Sequence, residues 1–138
     1  MPYLDWDENL RVNIPTIDDQ HLKLFEMINN LHIIVKSGQG DKALKPLIYS
    51  LVKYVNNHFA DEEKWMNKYD YPEIEKHKEE HMKYISNIKD FIKKYENNSP
   101  LLARDILISL ANWYREHIIK IDKKFGAYLN AKNIVLET

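Results

Sequence analysis

Apolar residues recur at helical spacing along four stretches of this chain. In the first, Phe25, Ile28, His32 and Val35 mark one face, and Leu24 and Leu31 widen it. Asp18 or Asp19 can cap its start, and Ser37-Gly38-Gln39-Gly40 is a glycine stop signal. The second stripe is Leu44, Leu47/Ile48, Leu51, Val55, His58/Phe59, Glu62 and Trp65/Met66, with Asp41 as a candidate cap. Pro46 conflicts with it, because a proline inside a helix removes a hydrogen bond. Either the helix starts nearer Lys45 or it kinks. Tyr69-Asp70-Tyr71-Pro72 breaks the pattern, and Pro72 suits the first turn of a third helix. That helix carries Ile74, His77, His81, Tyr84/Ile85, Ile88, Phe91/Ile92 and Tyr95, and Asn97-Asn98 ends it. Ser99-Pro100 reads as a cap followed by proline at the first helical position. The fourth stripe is Ile106, Leu110, Trp113, His117 and Ile121, with Gly126 marking its end.

The expected helices therefore span about 18–37, 41–68, 72–96 and 99–125. Residues 1–17 lack a sustained period. They read as an ordered arm anchored by Trp6, Val12, Ile14 and Ile17. Four helices joined by short connections predict an all-α, up-down-up-down antiparallel four-helix bundle. At 138 residues, positions 1–138 make one domain with a real core.

Composition narrows the chemistry. Twenty Lys+Arg nearly balance 21 Asp+Glu, which argues against a basic nucleic-acid or membrane-surface binder. Cysteine is absent, which excludes disulfides, thiolate metal sites and Cys nucleophiles. No apolar run is long enough for a membrane span, and the first twenty residues leave no room for a signal-peptide apolar region. The expected compartment is the cytoplasm.

The six histidines carry the functional signal. A lone histidine in a core is most often a satisfied polar group; six of them, with carboxylates on the same faces, are harder to satisfy in an apolar bundle. In an antiparallel bundle the start of helix one, the end of helix two, the start of helix three and the end of helix four share one end. His21, His58, Glu62, His77, His81, His117 and Asp122 all map to that end. His32 lies eleven residues beyond His21, roughly 16 Å along the axis, so it belongs to the core or a surface-edge hydrogen bond.

His58 and Glu62 are spaced i, i+4, as are His77 and His81, so each pair projects from one helix face. His117 and Asp122 are i, i+5, about 140° apart on an ideal helix. Either a local π-type turn brings them together or Asp122 reaches in from the flank. Five imidazoles and two carboxylates are too many for one first-row ion. Two ions sharing both carboxylates and a solvent-derived bridge fit, with one coordination position open. Mixed imidazole and carboxylate donors suit iron, with zinc, manganese or cobalt as alternatives.

Four segments resemble the hemerythrin family, specifically its single-domain bacterial members. They are Ile17-Asp18-Asp19-Gln20-His21, His58-Phe59-Ala60-Asp61-Glu62-Glu63, His77-Lys78-Glu79-Glu80-His81 and His117-Ile118-Ile119-Lys120-Ile121-Asp122. The likeness covers nearly the whole chain and fills all seven ligand positions of the family. It implies two iron ions in a non-haem, oxo- or hydroxo-bridged di-iron centre that binds O2 reversibly, as a carrier, store or scavenger. By resemblance, His77, His81 and His117 hold the coordinatively full iron, His21 and His58 hold the open iron, and Glu62 and Asp122 bridge them. The charge of the pair is unchanged if the bridge proton moves onto the incoming O2, and a dry site favours such a neutral exchange. Phe25, Phe59, Trp113, Ile118 and Ile121 are candidate pocket walls, equally ordinary as core. Asp18, Gln20, Asp61 and Glu63 are candidate partners for the ligand rings, with helix capping the competing role for Asp18 and plain solvation for Asp61 and Glu63.

Four other readings compete, one of them a purely structural bundle whose histidines are core. Ferritin-like di-iron enzymes need Glu-x-x-His on two helices, but the residues three before each histidine are Asp18, Asn29, Val55, Ile74, Lys78 and Tyr114. His77-Lys78-Glu79-Glu80-His81 matches the H-x-x-E-H zinc-protease pattern, a cheap match in a Lys/Glu-rich helix that leaves the other histidines unexplained. The third keeps the di-iron site as an oxidase, peroxidase or nitric-oxide-consuming enzyme, because function rests on details of a site. The expected partner is O2, with no nucleic acid and no membrane; a monomer suffices, and any protein recipient of O2 is unspecified. The attached signalling domain that a sensory role would need does not fit within 138 residues.

Overall fold

The computed structural model describes residues 10–97 and 101–136, with the backbone alone at 41, 118 and 119. Trp6 and the Ser99-Pro100 cap lie outside the described residues, as does the side chain of Ile118. Helix α1 is Pro15–Lys36, α2 is Gly40–Lys68 and α3 is Ile74–Glu96. The fourth rod has three parts: α4 (Leu102–Trp113), a nine-residue π-helical stretch (Tyr114–Asp122) and α5 (Lys123–Ala131). No strand occurs among the described residues. Helix α1 packs against α2 and α4, and α3 packs against α2 and α4, as the predicted bundle requires.

The helix starts differ from expectation, each for a local reason. Helix α1 begins at Pro15, not at Asp18 or Asp19. Ile14 holds the N-cap position with extended backbone, and Pro15 supplies a preset φ where no N–H partner is needed. Asp18 is instead an anchor for the preceding arm, its Oδ1 accepting the Val12 N–H at 2.8 Å. Helix α2 begins at Gly40 with Gln39 at the N-cap, so Asp41 lies inside the helix and the start is not displaced to Lys45. Pro46 sits within the helix at an exposed position. Pro72 lies in the turn before α3, which starts two residues later at Ile74.

Three helix ends share one device. After α1, α2 and α5 the second residue past the helix turns left-handed: Gly38 (φ 79°), Asp70 (φ 54°) and Asn133 (φ 55°). Each turn closes with the same pair of backbone bonds. After α2, Tyr71 N–H donates to Met66 O and Asp70 N–H to Asn67 O. After α5, Ile134 and Asn133 do the same to Leu129 and Asn130. These are Schellman closures, which satisfy the last carbonyls of a helix.

Gly126 does not end the fourth helix, which continues to Ala131. Its role is clearance: a Cβ there would lie 2.8 Å from both the Cβ and the carbonyl oxygen of Val12. The arm crosses α5 at this point, and Asn130 Nδ2 donates to Val12 O at 3.2 Å.

Two apolar clusters fill the interior. The larger contains Leu24, Ile28, Val55, Phe59, Tyr84, Leu110 and Tyr114 among others. The smaller lies under the arm and holds Val12, Ile14, Ile17, Trp65, Met66, Tyr71, Phe125 and Leu129. Along every helix the polar residues of the predicted site fall between members of these two clusters. In α1 the inward line is Ile17, His21, Leu24, Ile28 and Leu31, so Phe25 and His32 lie half-buried at its flank rather than at its centre.

Replacing a helical glycine by alanine ordinarily stabilises a helix by about 1 kcal/mol. We predict the opposite for Gly126→Ala: a loss of about 1–3 kcal/mol from forcing Val12 off the helix, measured by urea unfolding. A gain in stability would show that the arm does not bear on α5.

Candidate metal centre

Helix periodicity brings His58 and Glu62 to one face of α2, and His77 and His81 to one face of α3. His21 enters from α1. The fourth rod needs more than periodicity. A π-helical turn closes i→i+5 hydrogen bonds, so residues five apart lie nearly above one another. The π stretch Tyr114–Asp122 contains both His117 and Asp122 and turns both inward. It also rotates the face, leaving Ile121 half-buried while Asp122 is fully buried. Of the two routes open for Asp122, the helix distortion is the one present.

The structure brings all seven predicted residues together. Each is at most 2% exposed. Their ligating atoms form two groups, each with members within 4.8 Å of one another: Glu62, His77, His81, His117 and Asp122, and His21, His58 and Asp122. Asp122 belongs to both, and its two oxygens divide the work. Oδ2 lies 2.6 Å from His21 Nε2 and 3.3 Å from His58 Nε2; Oδ1 lies 2.7 Å from His117 Nε2 and 3.0 Å from His77 Nε2. Glu62 sits between the groups through Oε1, 3.1 Å from both His58 Nε2 and His81 Nε2. His32 is in neither group.

Outer hydrogen bonds set the ring tautomers. Gln20 Nε2 donates to Asp61 Oδ2 at 2.8 Å, which turns Gln20 Oε1 toward His58 Nδ1 at 2.6 Å. An amide oxygen only accepts, so Nδ1 carries the proton. Glu63 Oε2 accepts from His81 Nδ1 at 3.0 Å in the same way. Of the four partners expected, Gln20 bonds the His58 ring and Glu63 the His81 ring directly, Asp61 acts through Gln20, and Asp18 serves the arm. With Nδ1 protonated, the Nε2 atoms of His58 and His81 present lone pairs to carboxylate oxygens. Acceptors facing acceptors at such distances repel unless a proton or a cation lies between them.

The remaining buried atoms point the same way. His77 Nε2, His117 Nε2, Asp122 Oδ1 and Glu62 Oε2 are buried without a hydrogen-bond partner, although the two nitrogens lie close to the carboxylate oxygens. They converge on shared space rather than on one another. Unpaired buried polar atoms are costly, and a cation accepting several lone pairs removes that cost. Without a cation, protons take its place. Burial lowers the His58 and His77 pKa values, yet Glu62 and Asp122 outweigh it and raise both to about 10. Burial disfavours both carboxylates' charge too, but the surrounding histidines hold Glu62 and Asp122 well below the usual carboxylate range.

Aromatic rings fix the imidazole planes. Phe59 stacks on His81 (centroids 3.8 Å apart, planes 8°), Trp113 on His117 (4.7 Å, 19°) and Tyr54 on His58 (5.5 Å, 18°). Phe59 and Trp113 were expected near the centre. Tyr54 was missed; it lies one turn before His58 on the same face, and its hydroxyl donates to Gln20 O at 2.8 Å. Its i−4 spacing was the available signal. Tyr114, also missed, is buried beside Phe25.

The Hemerythrin HHE cation binding domain matches residues 12–129. The chain belongs to the hemerythrin family. Among its relatives, the bacteriohemerythrin of Methylococcus capsulatus is 34% identical over 119 residues, 86% of this chain and 90% of that protein. The bacteriohemerythrin of Stenotrophomonas maltophilia is 29% identical over 131 residues, covering 95% and 84%. Crystal structures of a hemerythrin with one leucine replaced superpose with a TM-score of 0.82; the alanine variant is 31% identical and covers 92% of this chain and 97% of its own. With this membership comes O2 binding at a non-haem di-iron centre, which the clustered His, Glu and Asp donors suit. No helix among the described residues is long and apolar enough to cross a membrane.

The proton-filled site has a distinct pH signature in metal-free protein. His58 and His77 bind protons more tightly folded than unfolded, so their contribution is full below about pH 6.5 and is lost as pH rises toward about 10. Glu62 and Asp122 contribute above the ordinary carboxylate range, and that contribution is lost on acidification. Urea midpoints of chelated protein should therefore peak on the acid side of neutrality and fall on both sides. A midpoint rising from pH 7 to 9 would contradict the ion-paired cluster.

Proposed function

We propose that the chain is a reversible O2 carrier or store whose seven buried residues hold two iron ions. In this reading His77, His81 and His117 hold one ion, His21 and His58 hold the other, and Glu62 and Asp122 span both. The observation that carries it is the division of Asp122, with Oδ1 toward His77 and His117 and Oδ2 toward His21 and His58. When bound, the iron pair supplies the electrons that take up O2 and recovers them on its release.

The protein's part is to make that exchange reversible. Two carboxylates offset much of the ions' charge in an interior where an uncompensated charge is expensive. Phe59 and Trp113 press against ligand rings and keep water from them, and the two apolar clusters seal the layer above and below. His58 and His81, held at Nδ1 by Gln20 and Glu63, present Nε2 inward without rearrangement. No catalytic residue is assigned in this reading, and the cytoplasm is its proposed setting.

The test is an anaerobic-to-aerobic optical titration of iron-loaded protein. A charge-transfer band should grow with O2, vanish on purging and return over repeated cycles. Sustained consumption of peroxide or nitric oxide, with no such reversible band, would favour the enzyme reading. In the same series His117→Ala should lose iron and His32→Ala should retain it. The reverse pattern would refute the ligand assignment.

A further inference from the structure

The two donor groups differ in more than size. The larger group gathers Glu62, His77, His81, His117 and Asp122; the smaller gathers His21, His58 and the shared Asp122, with Glu62 Oε1 also 3.1 Å from His58 Nε2, so the larger group has one imidazole more. Their outer partners differ in charge. The His81 Nδ1–H donates to the carboxylate of Glu63, whereas the His58 Nδ1–H donates to the neutral amide oxygen of Gln20. A carboxylate acceptor raises the basicity of a ligating imidazole and a neutral amide does so far less. The amide cannot turn round to compensate, because its Nε2 is committed to Asp61. The outer side of the His58–Gln20 contact also forms part of a surface groove of about 500 Å³ between α1 and α2, bordered by Tyr54 and Asp61.

From these three differences we infer that the centre loads in order: the five-donor group takes the first ion tightly, and Gln20 keeps the His21–His58 subsite weaker and exchangeable. The protein then has a stable one-metal form, and the occupancy of the second position sets the fraction able to bind O2. Gln20 is a positioning residue here. It acts through His58 and touches no metal. This inference rests on the two-ion reading above.

The test uses cobalt(II) alone, added to chelated full-length protein under anaerobic conditions, with uptake followed by visible absorption and calorimetry. Two steps should appear, separated by about tenfold or more in Kd. His21→Ala should abolish the second step and leave the first. The double variant Gln20→Glu/Asp61→Asn, which adds the missing charge beside His58 and leaves an amide at 61 to donate to it, should tighten the second step by about 10–100-fold, the range by which outer partners tune metal affinity. Glu63→Gln should weaken the first step and spare the second. Far-ultraviolet circular dichroism of the metal-free variants checks that each remains folded. Two ions taken up in one step of equal affinity, or a gap unmoved by Gln20→Glu/Asp61→Asn, would overturn the loading order while leaving the two-ion centre intact. A wild-type protein that never accepts a second ion would overturn both.

Discussion

Five imidazoles and two carboxylates share one layer of a bundle otherwise filled with aliphatic and aromatic side chains. Water cannot solvate them there, so every charge and lone pair must be met from within the layer. Protons can meet part of the demand, as the raised histidines and lowered carboxylates show. They leave several nitrogens and oxygens unpartnered. In the proposed two-ion reading, cations meet the lone pairs that face into the layer, and the enclosure of the layer suits that requirement.

The arrangement is seen in how the layer is enclosed. One apolar cluster fills the bundle on one side, and a second closes the other side beneath the arm. The arm is held at Val12, whose N–H is taken by Asp18 and whose carbonyl is taken by Asn130. Gly126 lets it lie directly against α5. Stacked aromatic rings then limit the tilt of His58, His81 and His117, so their lone pairs are already aimed. Preorganisation of this kind lowers the reorganisation needed when the metals change oxidation state.

Much of this was legible in the residue pattern, because helical periodicity and bundle topology together fix both the face and the height of a side chain. The stripe of α2 is the one observed, as is that of α3 up to Tyr95, which is exposed, and the seven polar residues meet where an antiparallel bundle places them. Helix starts, and the end of the fourth helix, were harder to read. A glycine in the fourth helix looks like a stop, yet the constraint on Gly126 is a contact with Val12, more than a hundred residues away. The left-handed turns at Asp70 and Asn133 use residues that carry weaker turn signals than glycine. Asp18 looks like a cap because the cap it competes with, Ile14 followed by Pro15, works without a side-chain hydrogen bond. The i, i+5 spacing of His117 and Asp122 signalled a distortion, although only the structure distinguishes a π stretch from a flanking reach. Gln20 was visible as a neighbour of His21, but its bond is to His58 across the helix pair, which no local pattern reveals.

The central claim is that Asp122 and Glu62 join two metal ions, not one. Anomalous diffraction at the iron edge from crystals of the iron-loaded protein tests it most directly. The account predicts two peaks in the polar layer, one beside His77, His81 and His117 and the other beside His21 and His58, with Asp122 contributing one oxygen to each. A single peak, or peaks whose nearest neighbours exclude Asp122, would contradict it.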